Sequence, residues 1–214
     1  MITVHSFVFN PFSENTYVLF DETKECIIID PGCFTKNEEN ELVSFIDEGQ
    51  LTPKLLLNTH GHIDHVLGNT FVKSKYGIPL WVPEKEESTY NAVSTYAGAY
   101  GFDSYNHADI DHLISNDETI EFGNSELKTL FAPGHSAGHV AFVNEAQNLC
   151  IGGDILFNGS IGRTDLPGGN FETLINSIHS KLFVLKDETI VYPGHGPTTT
   201  IAREKTTNPF CAIN

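Results

Sequence analysis

Arginine is almost missing from this chain: Arg163 and Arg203 are the only two in 214 residues. Twelve Lys plus Arg face 28 Asp plus Glu, a formal net charge of −16. A nucleic-acid partner is therefore not expected, because phosphate neutralisation by a basic footprint drives such binding. Cysteine is sparse as well. Cys26, Cys33, Cys150 and Cys211 form no CxxC pair, and Cys26 and Cys150 lie in apolar strand-like runs where a thiol serves as a small buried hydrophobe. No disulfide framework is expected in an intracellular chain of this length. Long apolar runs are absent too, since residues 26–29 and 55–57 fall far short of the ~20 that a membrane span needs. Residues 1–12 carry no Lys or Arg ahead of an apolar stretch and already alternate like a strand, so a secretory signal is not expected. The expectation is a cytoplasmic protein with no membrane partner.

What is present reads as an ordinary globular chain, 40% hydrophobic and 19% charged. At this length roughly 70% of the unfolded surface can be buried, enough for one domain over residues 1–214 without staples. Short runs rich in β-branched and aromatic residues predict strands over 2–9, 15–20 and 25–30, the third closed by the turn Asp30-Pro31-Gly32. Leu42, Phe45 and Ile46 at helical spacing predict a helix over 37–48, stopped at Gly49. A buried strand over 54–57, a helix over 65–75 and a strand over 78–82 follow. Residues 83–112, with five of the tyrosines and phenylalanines, read as a helical or irregular excursion. Strands are then predicted over 118–122, 127–131, 139–144 and 148–152, a helix over 171–182, a strand over 189–192 and closing helical turns over 201–206. Two strand-rich halves that each finish in helices argue for a layered α/β or α+β sandwich.

The ten histidines are not spread evenly. His60, His62, Asp64 and His65 fall within six positions, directly after a predicted strand. Side chains at i and i+2 of an extended segment point to one side, so His60 and His62 can reach one ion, while Asp64 and His65 can face a second. Imidazole and carboxylate together suit zinc, with iron or manganese as alternatives. His135 in Pro133-Gly134-His135, Asp154 in Gly153-Asp154 and His195 in Gly194-His195-Gly196 each also follow a predicted strand. Taken singly, a histidine after Pro-Gly is usually just a turn residue, and an aspartate after two glycines can be one too. Loops held at one edge of a rigid sheet are where sites are built. No GxSxG occurs, which disfavours a serine hydrolase.

In that order, Thr59-His60-x-His62-x-Asp64-His65, Pro133-Gly134-His135, Gly153-Asp154 and Gly194-His195-Gly196 resemble the metallo-β-lactamase superfamily. Gly159-Ser160-Ile161-Gly162-Arg163-Thr164-Asp165 and Thr207-Asn208-Pro209-Phe210 are similar to its glyoxalase II (hydroxyacylglutathione hydrolase) branch, in its short bacterial form. The resemblance implies a four-layer αββα sandwich with the site on one edge of its two sheets. It implies two divalent ions, zinc foremost: His60, His62 and His135 on the first, Asp64, His65 and His195 on the second, and Asp154 on both. Asp64 and Asp154 would be the catalytic carboxylates, and Asp30 would orient a ligand imidazole. The activity implied is hydrolysis of a small thioester such as S-D-lactoylglutathione by a hydroxide held between the metals.

The chain departs from long glyoxalase II enzymes in two respects. The C-terminal helical domain with which those enzymes grip glutathione is not expected, and where they offer a basic residue and then an aromatic this chain has Arg163 and Asp165. Arg163 could meet a substrate carboxylate as a forked donor, or it could pair with Asp165. His107, His112, His139 and His179 lie outside the motif and read as structural or exposed, with His139 close enough in sequence to orient a ligand. The alternative reading is a mononuclear iron persulfide dioxygenase, which shares the HxHxDH cluster and a similar loop. A nuclease and an exported β-lactamase fit less well, given the charge and the lack of a signal. A non-enzymatic metal-stabilised module would have predicted the decay of at least one ligand position.

Overall fold

The structure is a computed structural model that describes residues 1–213. Its internal contacts fall into two compact units, Met1–Ile114 with Glu121–Ser125, and Ser115–Ile120 with the chain from Glu126 onward.

The first unit is built on a six-stranded sheet in the order β1 (Thr3–Phe9), β2 (Glu14–Phe20), β3 (Glu25–Ile29), β4 (Thr52–Leu57), β5 (Leu80–Pro83), β6 (His112–Ile114). β1 to β3 form an antiparallel meander, and β4, β5 and β6 are added parallel to β3. Parallel neighbours need crossovers, which here carry α1 (Lys36–Glu48), α2 (Ile63–Val66), α3 (Asn69–Tyr76) and α4 (Glu87–Tyr96). α1 starts with a capping box, in which Thr35 and Glu38 satisfy each other's backbone N–H groups. Leu42 and Ile46 of α1, Val66 and Val72 of α2 and α3, and Tyr90 and Val93 of α4 pack with Phe7, Val18, Ile28 and Leu56 of the sheet. β3 from Cys26 to Ile29 and β4 from Leu55 to Leu57 are buried at successive positions, the near-continuous apolar pattern of parallel strands.

The second unit carries a sheet ordered β14 (Thr199–Thr200), β13 (Ile190–Pro193), β10 (Leu149–Gly153), β9 (Val140–Asn144), β8 (Ser125–Phe131), β7 (Thr119–Phe122). β10 and β13 are parallel; β8, β9 and β14 join them antiparallel. A small hairpin, β11 (Leu156–Phe157) with β12 (Ser160–Ile161), follows β10. α5 (Phe171–Ser177) runs on into a wide π-helical turn over Ile178–Leu182, and α6 (Ile201–Thr207) comes after β14. Leu174, Ile178, Leu182 and Ile201 pack with Ala141, Val143, Cys150 and Val191.

Three differences from the sequence expectation have local causes. The helix expected over 65–75 is two helices, because Gly68 runs against the turn after β3: its N–H donates to Pro31 O at 2.7 Å, and a Cβ there would sit 2.5 Å from Cys33 Sγ. β4 begins at Thr52 despite Pro53, which is accommodated at a register shift opposite Cys26 and Ile27. β6, β11, β12 and β14 were not expected, being too short for a two-residue period to show. All four cysteines are buried and free, and burial pushes the Cys26 and Cys150 thiols up to about 12, so they carry no thiolate chemistry. Among the described residues no helix is long and apolar enough to cross a membrane.

Candidate metal centre

Each parallel pair ends in polar residues at its carboxyl edge. In the first unit β3 runs into Asp30, which takes a left-handed φ of 50° and turns its carboxylate toward the end of β4. Asp30 Oδ1 accepts the Thr59 N–H at 2.7 Å, and Oδ2 accepts the Thr59 hydroxyl at 2.6 Å. The hydroxyl has one proton, and it is spent there. The Thr59 oxygen therefore meets His60 Nδ1, 3.0 Å away, as an acceptor. Asp30 Oδ2 also lies 3.1 Å from His65 Nδ1. Both imidazoles thus keep their proton on Nδ1 and present Nε2 as a lone pair, the form that binds metal.

The imidazoles of His60 and His62 stand 4.7 Å apart, and those of His60 and His65 4.2 Å apart. Asp64 Oδ2 lies 3.7 Å from His65 Nε2, on the lone-pair side. Asp30 comes within ligand spacing of His60 and His65 as well. It approaches from the Nδ1 side with its oxygens already engaged, so it orients these rings and is no ligand itself.

The loop is fixed from behind. Gly61 donates its N–H to the fully buried Glu86 at 3.0 Å, and a Cβ at Gly61 would lie 2.7 Å from the backbone nitrogen of Tyr90. Asn10 Nδ2 donates to Asp64 O at 3.0 Å. Glu14 sits beneath Asp30 with no exposure. Thr16 Oγ1 accepts the Gly32 N–H and has Asp30 O and Glu14 Oε2 as its other neighbours, each at 2.9 Å. The one proton of the Thr16 hydroxyl is within reach of either oxygen, Asp30 O or Glu14 Oε2. Burial pushes the Glu14 carboxyl well above the usual range, outweighing the lowering by His65.

The second unit brings His135, Asp154 and His195 together. Asp154 Oδ2 lies 3.5 Å from His135 Nε2 and 3.5 Å from His195 Nε2. Ligands bonded to one zinc at about 2.1 Å sit roughly 3.4 Å apart along a tetrahedral edge. One carboxylate oxygen at that spacing from the Nε2 atoms of two imidazoles fits a shared or bridging ligand. His135 Nδ1 lies 2.8 Å from Arg163 O and so holds the proton, leaving Nε2 for metal. His139, fully buried, accepts the Asp154 backbone N–H on Nε2 at 2.9 Å. It is a neutral imidazole that fixes the backbone of the carboxylate, and not a ligand.

The Lactamase_B family model, described as the metallo-beta-lactamase superfamily, matches residues 9–195. The chain belongs to the metallo-β-lactamase superfamily. Among its relatives, the Bacillus subtilis protein "Probable metallo-hydrolase YqgX" is 40% identical over 94% of this chain and 93% of that one. "Hydroxyacylglutathione hydrolase GloC" of Haemophilus influenzae is 37% identical over 93% of each chain. The solved structure of "BLEG-1 B3 metallo-beta-lactamase" superposes with a TM-score of 0.88 at 34% identity, covering 99% of this chain and all of that one. The α/β class expected from the resemblance, with two large sheets and their helices, is the superfamily's.

The motif residues are visible in the sequence, and with them Asp30 and His139 as orienting residues. Thr59 stands in the motif without its role being legible, and Glu86 gives no sequence signal, since it acts on Gly61, 25 positions away. Arg163 is exposed, and its Nε and Nη2 lie 2.7 and 2.8 Å from the two oxygens of Asp165. Any substrate carboxylate would have to exchange with Asp165 for that fork. His107, His112 and His179 stay outside both sets, beside Asn91, Trp81 and the Cys211 carbonyl.

Proposed function

We propose that this protein is a dinuclear metal hydrolase of a small thioester, of the hydroxyacylglutathione type that the Haemophilus influenzae relative's name describes. In this reading His60, His62 and His135 would hold one ion, Asp64, His65 and His195 the other, and Asp154 would serve both. The observation that carries the reading is Asp154 Oδ2 at 3.5 Å from Nε2 of both His135 and His195. A family match that runs unbroken over residues 9–195 takes in both sets. Zinc is the metal favoured by this donor set, with iron or manganese as alternatives.

Bound there, divalent ions supply Lewis acidity, making hydroxide available near neutral pH and polarising the carbonyl under attack. The chain does the rest. Asp30, Thr59 and the Arg163 carbonyl hold three imidazoles in the Nδ1-protonated form, so binding a cation requires no proton to leave them. His139 fixes Asp154, and Arg163, once released by Asp165, offers a forked donor to an anionic group on the substrate.

The test is metal content per chain by elemental analysis, with turnover of S-D-lactoylglutathione before and after chelation. Two metals with chelator-sensitive thioester cleavage support the reading. One iron, no cleavage and oxygen uptake with a persulfide would replace it with the dioxygenase. Nitrocefin opening without thioester cleavage would move the substrate to β-lactams, the class named for the BLEG-1 structure.

A further inference from the structure

Glu204 on α6 is fully buried and belongs to neither ligand set. Its Oε1 takes the Thr199 hydroxyl at 2.5 Å, and its Oε2 takes the Gly159 N–H at 3.0 Å and Asn208 Nδ2 at 2.7 Å. Asn208, 2% exposed, gives its other amide proton to Ser160 O at 3.0 Å, and its own oxygen receives the Phe210 N–H at 3.0 Å. The pair therefore grips two successive residues at the tip of the β11–β12 hairpin, Gly159 by its N–H and Ser160 by its carbonyl. That hairpin has only two residues per strand, too few to be stable alone.

What the hairpin carries matters for the metal. It starts two residues after Asp154 and ends two residues before Arg163. At Gly162 the chain passes so close to Asp154 O that a Cβ would overlap it, and that Cβ would stand 3.0 Å from His135 Nδ1. One residue further on, Arg163 O meets His135 Nδ1 at 2.8 Å. A carbonyl that fixes a ligand's tautomer and direction is thus held in place by a hairpin whose tip is anchored by part-buried bonds to the buried side chains of Glu204 and Asn208, with one exposed bond from Asn158 to Thr198 O beside them.

We infer that Glu204 and Asn208 are positioning residues for the metal centre, acting through the hairpin on the His135 imidazole. The closing Thr207-Asn208-Pro209-Phe210 then has a physical purpose, because Asn208 spends both amide protons on the clamp. The inference rests on the reading of His135 as a ligand. Loss of a partner behind a metal-binding histidine commonly weakens metal affinity 10- to 100-fold.

The test measures Zn²⁺ affinity of the metal-free full chain by competition with a chromophoric chelator, together with the thermal midpoint. Asn208→Ala is expected to bind 10- to 100-fold more weakly, well below its unfolding temperature. Glu204→Gln keeps the size and weakens the charge-assisted bonds; it is expected to fold and to bind several-fold more weakly, and it stands in if Asn208→Ala does not fold. Lys205→Ala, which removes the α6 ion pair to Asp187 and touches nothing in the clamp, is expected to bind as the parent does. Variants at Asn208 and Glu204 that lose only thermal stability and keep the parent affinity would reduce the clamp to a structural role. His135→Ala in the same titration separates the two readings: parent affinity there sinks the ligand assignment itself, while weak binding there with unchanged Asn208→Ala sinks the clamp alone.

Discussion

The imidazole of His139 accepts the backbone N–H of Asp154 at 2.9 Å. An acceptor nitrogen carries no proton, so His139 is neutral and its role is to hold one peptide plane. Replacing it by Ala leaves a buried N–H unsatisfied, a cost of about 1–3 kcal/mol, and frees the carboxylate that stands between His135 and His195. His139→Ala is expected to lower both metal content and turnover, by 10-fold or more in the latter, while the far-ultraviolet circular dichroism stays native. Full metal content at native turnover would show the bond to be incidental.

Asp154→Ala should be more severe, since one oxygen serves two imidazole-bound positions. Activity and both metals are expected to fall together. A variant that retains two metals per chain and turns over at the parent rate would remove Asp154 from the centre.

Arg163 and Asp165 form an exposed two-point pair. If the guanidinium serves an anionic substrate, Asp165 competes with that substrate. Asp165→Asn is then expected to lower KM and Arg163→Ala to raise it, each with less effect on kcat. KM unchanged in both would leave the pair as a loop closure.

Asp21 offers a pH test away from the metal. Burial pushes its carboxyl up, but bonds from Thr23, Ser125 and Asn124 outweigh it and hold the group at about 2. A folded pKa below the unfolded value of 3.8 means stability that is present above pH 4 and lost as pH falls toward 2. From the size of the shift, Asp21→Asn is expected to cost about 2 kcal/mol at pH 7 and progressively less below pH 4. Urea midpoints at pH 7 and pH 3 check it; an equal loss at both would assign the effect to packing.

Much of the candidate centre was legible in the sequence because the residues proposed as its ligands are local or punctuated. His60, His62, Asp64 and His65 announce themselves by spacing, and His135, Asp154 and His195 by the strand ahead and the glycine beside each. Of the supports, the resemblance offered Asp30 and nearness to the motif offered His139, but the bonds they make were not legible, for the opposite reason. Asp30 and Thr59 are 29 positions apart, and Asp154 and His139 are 15 apart. Their pairing depends on which strands lie side by side and in what register, and no period in the chain encodes that. Gly68 shows the same limit: it breaks a helix only because Pro31 and Cys33 come to rest against it.

The reach of Asp30 from the end of β3 to the end of β4 ties chemistry to alignment. In a parallel pair, a slip of one residue moves one strand by about 3.3 Å past the other. The carboxylate would then miss both the Thr59 hydroxyl and the His65 ring, and the imidazoles would lose the bonds that set their protons. Correct pairing of these two strands and readiness to take up metal are thus tested by the same few bonds. A misregistered chain of this protein would be a poor metal binder before it was a poor catalyst, so metal uptake can report whether its sheet has been assembled correctly.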